Sequence, residues 1–110
     1  MSAKILISSV TSSPTPQAGQ SSRSSGNFST DTLPPNTINF QWEISSFGSD
    51  DPNSISFSVA QDVSGGSDPT IFTNVVNGKY TDVYEHRSLY IAKPNGATAN
   101  FVVSIFAITR

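Results

Sequence analysis

The sequence predicts an all-β fold: an antiparallel β-sandwich or jelly roll of seven to eight strands, with a long Ser/Pro-rich N-terminal arm. Three observations lead there. Apolar and polar residues alternate with a period of two in several short runs. Turn-forming clusters separate those runs about every 8–12 residues. No stretch carries the sustained helical apolar period, with caps, that an α-helix requires.

Ala3 to Val10 reads as a strand, with Ile5 and Ile7 on one face and Lys4 and Leu6 on the other. Thr11 to Pro35 is dominated by Ser, Thr, Pro, Gly and Gln, and Ala18, Phe28 and Leu33 are its only apolar residues. Such a stretch buries too little to offset its ordering entropy, so it is expected to be an extended loop or mobile arm. This divides the chain into residues 1–35, a strand plus low-complexity arm, and residues 36–110, the β-rich body.

In the body, Ile38, Phe40, Trp42 and Ile44 alternate with Asn39, Gln41 and Glu43, the pattern of a half-buried strand. Ser46 to Asn53 is a turn cluster. Ile55, Phe57 and Val59 mark the next strand, and Asp62 to Pro69, containing Gly65-Gly66, the next connection. Ile71 to Val76 and Lys79 to Tyr84 flank Asn77-Gly78, which predicts a hairpin, because both residues tolerate the positive φ of a two-residue turn. Leu89 to Lys93 is a strand, Pro94-Asn95-Gly96 a turn, and Thr98 to Thr109 the last strand. In that strand Phe101, Val103, Ile105 and Ala107 line one face, and Val102, Phe106 and Ile108 the other. A sandwich strand ordinarily has one polar face, so two apolar faces point to cover on both sides. Phe101, Val102, Val103, Ile105, Phe106 and Ile108 are therefore candidate interface residues. The arm is expected to bridge to a neighbouring subunit and place the Ala3 to Val10 strand on an adjacent sheet edge. In the rival account the arm folds back, and Phe28 and Leu33 cap the stripe within one monomer.

Composition narrows the function. The 110 residues carry a net charge of −2, only 13% are charged, and there is no cysteine. The six basic residues are scattered, without the clustered charge that displaces counterions from nucleic acid. Without cysteine there is no disulfide, thiolate metal site or thiol nucleophile. The apolar run Ile5-Leu6-Ile7 is too short for a signal peptide or a membrane helix. His86 is the only histidine, no nucleophile-elbow motif accompanies it, and it reads as a surface residue. Asp50, Asp51 and Asn53, and separately Asp62 and Asp68, could supply oxygens to calcium, but they lack the usual ligand spacing and read first as turn formers. Glu43 and Glu85 are the only glutamates, a poor basis for a glycosidase pair. No catalytic, cofactor-binding or metal residue is assigned, and the chain is expected not to be an enzyme.

Ile55-Ser56-Phe57-Ser58-Val59-Ala60-Gln61-Asp62, Val76-Asn77-Gly78, Leu89-Tyr90-Ile91-Ala92-Lys93 and Phe101-Val102-Val103-Ser104-Ile105 form a series of strands ending in polar turns. That series resembles the small β-sandwich proteins of bacteriophage virions, of the decoration, fibre or spike-base type. The resemblance covers about half the chain and carries over no functional residues. It implies a non-enzymatic structural or assembly subunit, homo-oligomeric or held by other structural subunits, and located on a virion. The alternative is a carbohydrate- or surface-binding module. For that role Phe47, Tyr80, Tyr84 and Tyr90 are the surface aromatics, whereas Trp42, in phase with Phe40 and Ile44, is expected in the core.

Overall fold

The computed structural model describes residues 2–19 and 22–110; Gln20 and Ser21 of the arm lie outside them. The alternating runs form seven strands: β1 (Ala3–Ser12), β2 (Thr37–Ser46), β3 (Ser56–Gln61), β4 (Thr70–Val76), β5 (Tyr80–Thr81), β6 (Leu89–Asn95) and β7 (Phe101–Thr109). Among the described residues the one helical element is a 3₁₀ turn at Pro52–Ser54, started by the Asp51 carboxylate accepting the Asn53 N–H. The strands form two antiparallel sheets, ordered β1-β7-β2-β5 and β4-β3-β6. The all-β expectation holds.

The period-two pattern decides which side chains meet. Phe40, Trp42 and Ile44 of β2 and Phe101, Val103 and Ile105 of β7 point from the larger sheet into one core. Phe57 and Val59 of β3, Val75 of β4, and Leu89 and Ile91 of β6 meet them from the smaller sheet. Trp42 is fully buried and has edge-to-face contacts with Phe28, Phe40, Phe57 and Phe72, at centroid distances of 5.8–6.4 Å. Ile38 departs from its predicted in-phase position: the pairing slips between Thr37 and Asn39, and Ile38 is 44% exposed.

Three sequence expectations need correction. Asn77-Gly78 does not close a hairpin, because β4 pairs with β3 in one sheet and β5 with β2 in the other. Only Gly78 of the two residues has positive φ, at 86°. With Lys79 N–H donating to the Val76 carbonyl, this is a type II turn, whose twist does not match a two-residue hairpin. Backbone bonds between Trp42 and residues 78–79, and Asn77 Oδ1 accepting the Ile44 N–H, fasten the turn to β2.

The arm, secondly, is not free. Residues 22–28 run beside β6: Lys93 N–H donates to Ser22, Ser24 N–H to Ile91, and Phe28 and Leu89 exchange backbone bonds. Phe28 is 6% exposed, and Leu33 packs against the core. Hydroxyls supply bonds the irregular backbone misses: Ser25 Oγ accepts the Ile91 N–H, and Ser24 Oγ donates to the Ile91 carbonyl. A Ser-rich segment can thus line a sheet edge without regular strand pairing.

Thirdly, β1 lies on its own chain. It pairs with β7 from Ala3↔Thr109 to Ser12↔Phe101, with a bulge between Leu6 and Ser8. Exchanging it into a neighbour's sheet in place of that sheet's own β1 would require giving up that pairing; with β7 on its inner edge, β1 offers a neighbour its outer edge.

Candidate functional site

His86 is half-buried, its Nδ1 accepts the Ser88 N–H, and its ring stacks on Tyr84. Thr30 of the arm fastens the segment from the other side: its N–H donates to the His86 carbonyl, and its hydroxyl accepts the His86 N–H. The histidine is thus part of a turn that anchors the arm.

The acidic loops are held by internal hydrogen bonds. Asp50 accepts from the Thr98 N–H, the Thr98 hydroxyl and the Ala99 N–H. The Thr98 hydroxyl first, then the Thr98 N–H, hold its carboxyl below the usual carboxylate range. Asp62 takes the Arg23 guanidinium and the Asn27 amide. Asp68 accepts the Tyr90 hydroxyl at 2.6 Å and the Val63 N–H, and these bonds lower its pKa. Tyr90, only 5% exposed, has its phenol pushed up to about 12 by burial first and by the Asp68 hydrogen bond next. The Arg23 guanidinium covers its ring at 3.8 Å. Arg23, Asp62, Asp68 and Tyr90 form one network that clips the arm and the 62–68 loop onto the smaller sheet.

Of the aromatics offered as surface candidates, Phe47 and Tyr80 are exposed, at 66% and 58%, while Tyr84 is half-buried and Tyr90 buried. Of the candidate interface residues, Phe101, Val103 and Ile105 are fully buried in the core; Val102, Phe106 and Ile108 are half-buried on the outer face of the larger sheet. Phe106 lies between Leu6 of β1 and Gln41 of β2. Lys4 lies over its ring at 4.6 Å and reaches across β7 to pair with Glu43. Leu6, on that face, is 56% exposed, and Ile5, on the other face of the same strand end, is 40% exposed.

No known protein family, curated protein or solved structure matches this chain.

Two features of the surface stand out physically. The first is the treatment of the sheet edges. β6 is covered by the arm, and β5 is two residues long. On β4, Lys79 Nζ donates to the carbonyls of Thr73 and Asn74, and Asn74 bends the strand at φ 52°. β1 is ten residues long, and its outer edge meets the arm only at its C-terminal end, through Ser12 and Ser25 and through Ser13 and Ser24. Among the described residues no strand lies beside the outer edge of residues 3–11. The second feature is an open groove of about 460 Å³ between β4 and β5. Sequence reasoning missed it because its walls come from strands of different sheets.

Proposed function

We propose that this chain is a non-enzymatic assembly subunit that associates with further copies of itself through β1. Two antiparallel sheets contributing to one core support a β-sandwich reading, and the resemblance to virion β-sandwich proteins supports a setting such as a virion surface. The observation that carries the proposal is the uncovered outer edge of β1, interrupted by a single bulge between Leu6 and Ser8. Exposed edges template further strands, and natural proteins block them with charges, proline, bulges or covering segments. β6 is covered by the arm, β5 is too short to template a strand, and Lys79 and the bend at Asn74 block β4, whereas the one bulge in β1 leaves residues 3–6 and 8–11 without cover. The one charge on β1, Lys4, is engaged by Glu43, so it does not guard the edge. Antiparallel addition of a second β1 about a two-fold axis satisfies the free backbone groups of both copies, and joins two four-stranded sheets into one of eight. Ile5 and Leu6 lie along that edge and lose water in the contact.

Sedimentation of the purified chain across a concentration series tests this, alongside Leu6→Lys. Leu6 is mostly exposed, so the variant keeps the fold, which circular dichroism verifies. Self-association of the native chain and its loss in Leu6→Lys are expected. A native chain that stays monomeric at the highest concentration, or a variant that associates equally well, overturns the proposal.

A further inference from the structure

We propose that the groove between β4 and β5 binds a neutral saccharide, with Tyr80 as the stacking platform. Tyr80 stands at the groove with 58% of its surface in water, among the most exposed large side chains of the molecule. Around it Ile71 and Phe72 supply apolar wall, and the polar lining is uncharged or charge-balanced: Asn39, Thr73 and Thr81, with Lys79 and Asp82 supplying one charge of each sign. Lys79 is engaged with the carbonyls of β4. The Asp82 carboxylate has no hydrogen-bond partner among the described residues and lies exposed. Asn39 Nδ2 reaches the Thr81 carbonyl at 3.5 Å, leaving its Oδ1 as an acceptor.

A pyranose ring presents an apolar C–H face and a perimeter of hydroxyls. An aromatic ring with one wet face suits the first, and a carboxylate that accepts from two adjacent hydroxyls suits the second. The absence of net charge in the lining argues for a neutral sugar over a phosphorylated or sulfated one. The chief rival is an extended peptide adding to the β4 edge. That edge is poorly suited to it, because Lys79 occupies two of its carbonyls and Asn74 bends it out of line. The groove and the β1 edge belong to different ends of the larger sheet order, so this site stands independently of self-association.

The core carries a built-in reporter. Trp42, the only tryptophan, donates its Nε1–H to Thr81 Oγ1 at 2.9 Å, and its ring meets Phe72 of the groove wall at 5.8 Å. Cellotetraose, tetra-N-acetylchitotetraose, maltotetraose and a panel of other neutral oligosaccharides are titrated into the full chain, following Trp42 emission and amide shifts in NMR spectra. At least one sugar is expected to change the emission and to move the amides of residues 71–73 and 79–82. Tyr80→Ala should weaken that sugar roughly tenfold or more, Tyr80→Phe should preserve most of the affinity, and Asp82→Asn should weaken it without altering the fold. The proposal fails if no sugar binds, if binding survives Tyr80→Ala, if the shifts map elsewhere, or if only an extended peptide occupies the groove.

Discussion

Trp42 and Tyr90 show how differently two buried aromatic residues can be held. Trp42 is surrounded by rings and has its N–H satisfied by Thr81, so its burial leaves no polar group unpaired. Trp42→Ala should cost about 3–5 kcal/mol, measured by denaturant unfolding. Tyr90 is held by charge as well as packing, with Asp68 on its hydroxyl and Arg23 on its ring. Its neutral form is favoured in the folded state. The resulting stabilisation is therefore complete below the ordinary phenol value of 10.0, and is lost as pH rises towards about 12. Asp68 works in the opposite direction: its lowered pKa stabilises the fold above the ordinary value of 3.8, and the effect disappears as acid protonates the carboxylate. Ultraviolet titration should show one of the three tyrosines ionising near pH 12. Tyr90→Phe should abolish that step and flatten the loss of thermal stability above pH 10.

The N-terminal arm shows that a segment's composition does not settle its role. Among the arm's described residues Phe28 is the one large buried side chain, placed edge-on to Trp42 at 6.3 Å, and the surrounding serines supply hydrogen bonds to β6. Phe28→Ala should cost about 3 kcal/mol in chemical unfolding, a loss no mobile arm would produce. The arm and β1 also belong to the folding unit itself. Deleting residues 1–35 strips β7 of one neighbour and β6 of its cover, so the truncated chain should lose cooperative unfolding in calorimetry, rather than survive as a folded body. The Asn77-Gly78 turn makes the same point at smaller scale. Its residues tolerate either kind of turn, and the backbone of Trp42 and Ile44 selects the one that crosses between sheets.

At the scale of the whole molecule, a chain with 13% charged residues has little long-range repulsion to keep copies apart. It therefore relies on local devices at each sheet edge, and β1, with a bulge between Leu6 and Ser8 and no covering segment beside residues 3–11 among the described residues, is the least protected. If copies join there, assembly stabilises the folded state by mass action. The melting temperature should then rise with protein concentration in the native chain and stay constant in Leu6→Lys, read by differential scanning calorimetry.

By itself the sequence determined the all-β class, the inward placing of Phe40, Trp42 and Ile44 on β2 and of Phe57 and Val59 on β3, and the burial of Trp42, because a period of two follows from strand geometry alone; with both faces of β7 apolar, it did not say which one turns inward. It also marked Tyr80 and Phe47 as surface aromatics, but could not separate them from Tyr84 and Tyr90, whose cover comes from residues distant in the chain. Tertiary structure alone decided the sheet order, the crossing at Asn77-Gly78, the docking of the Ser-rich arm and the groove between β4 and β5. Each of these depends on which strands become neighbours. That choice is made by pairing and packing between distant segments, which local alternation does not encode.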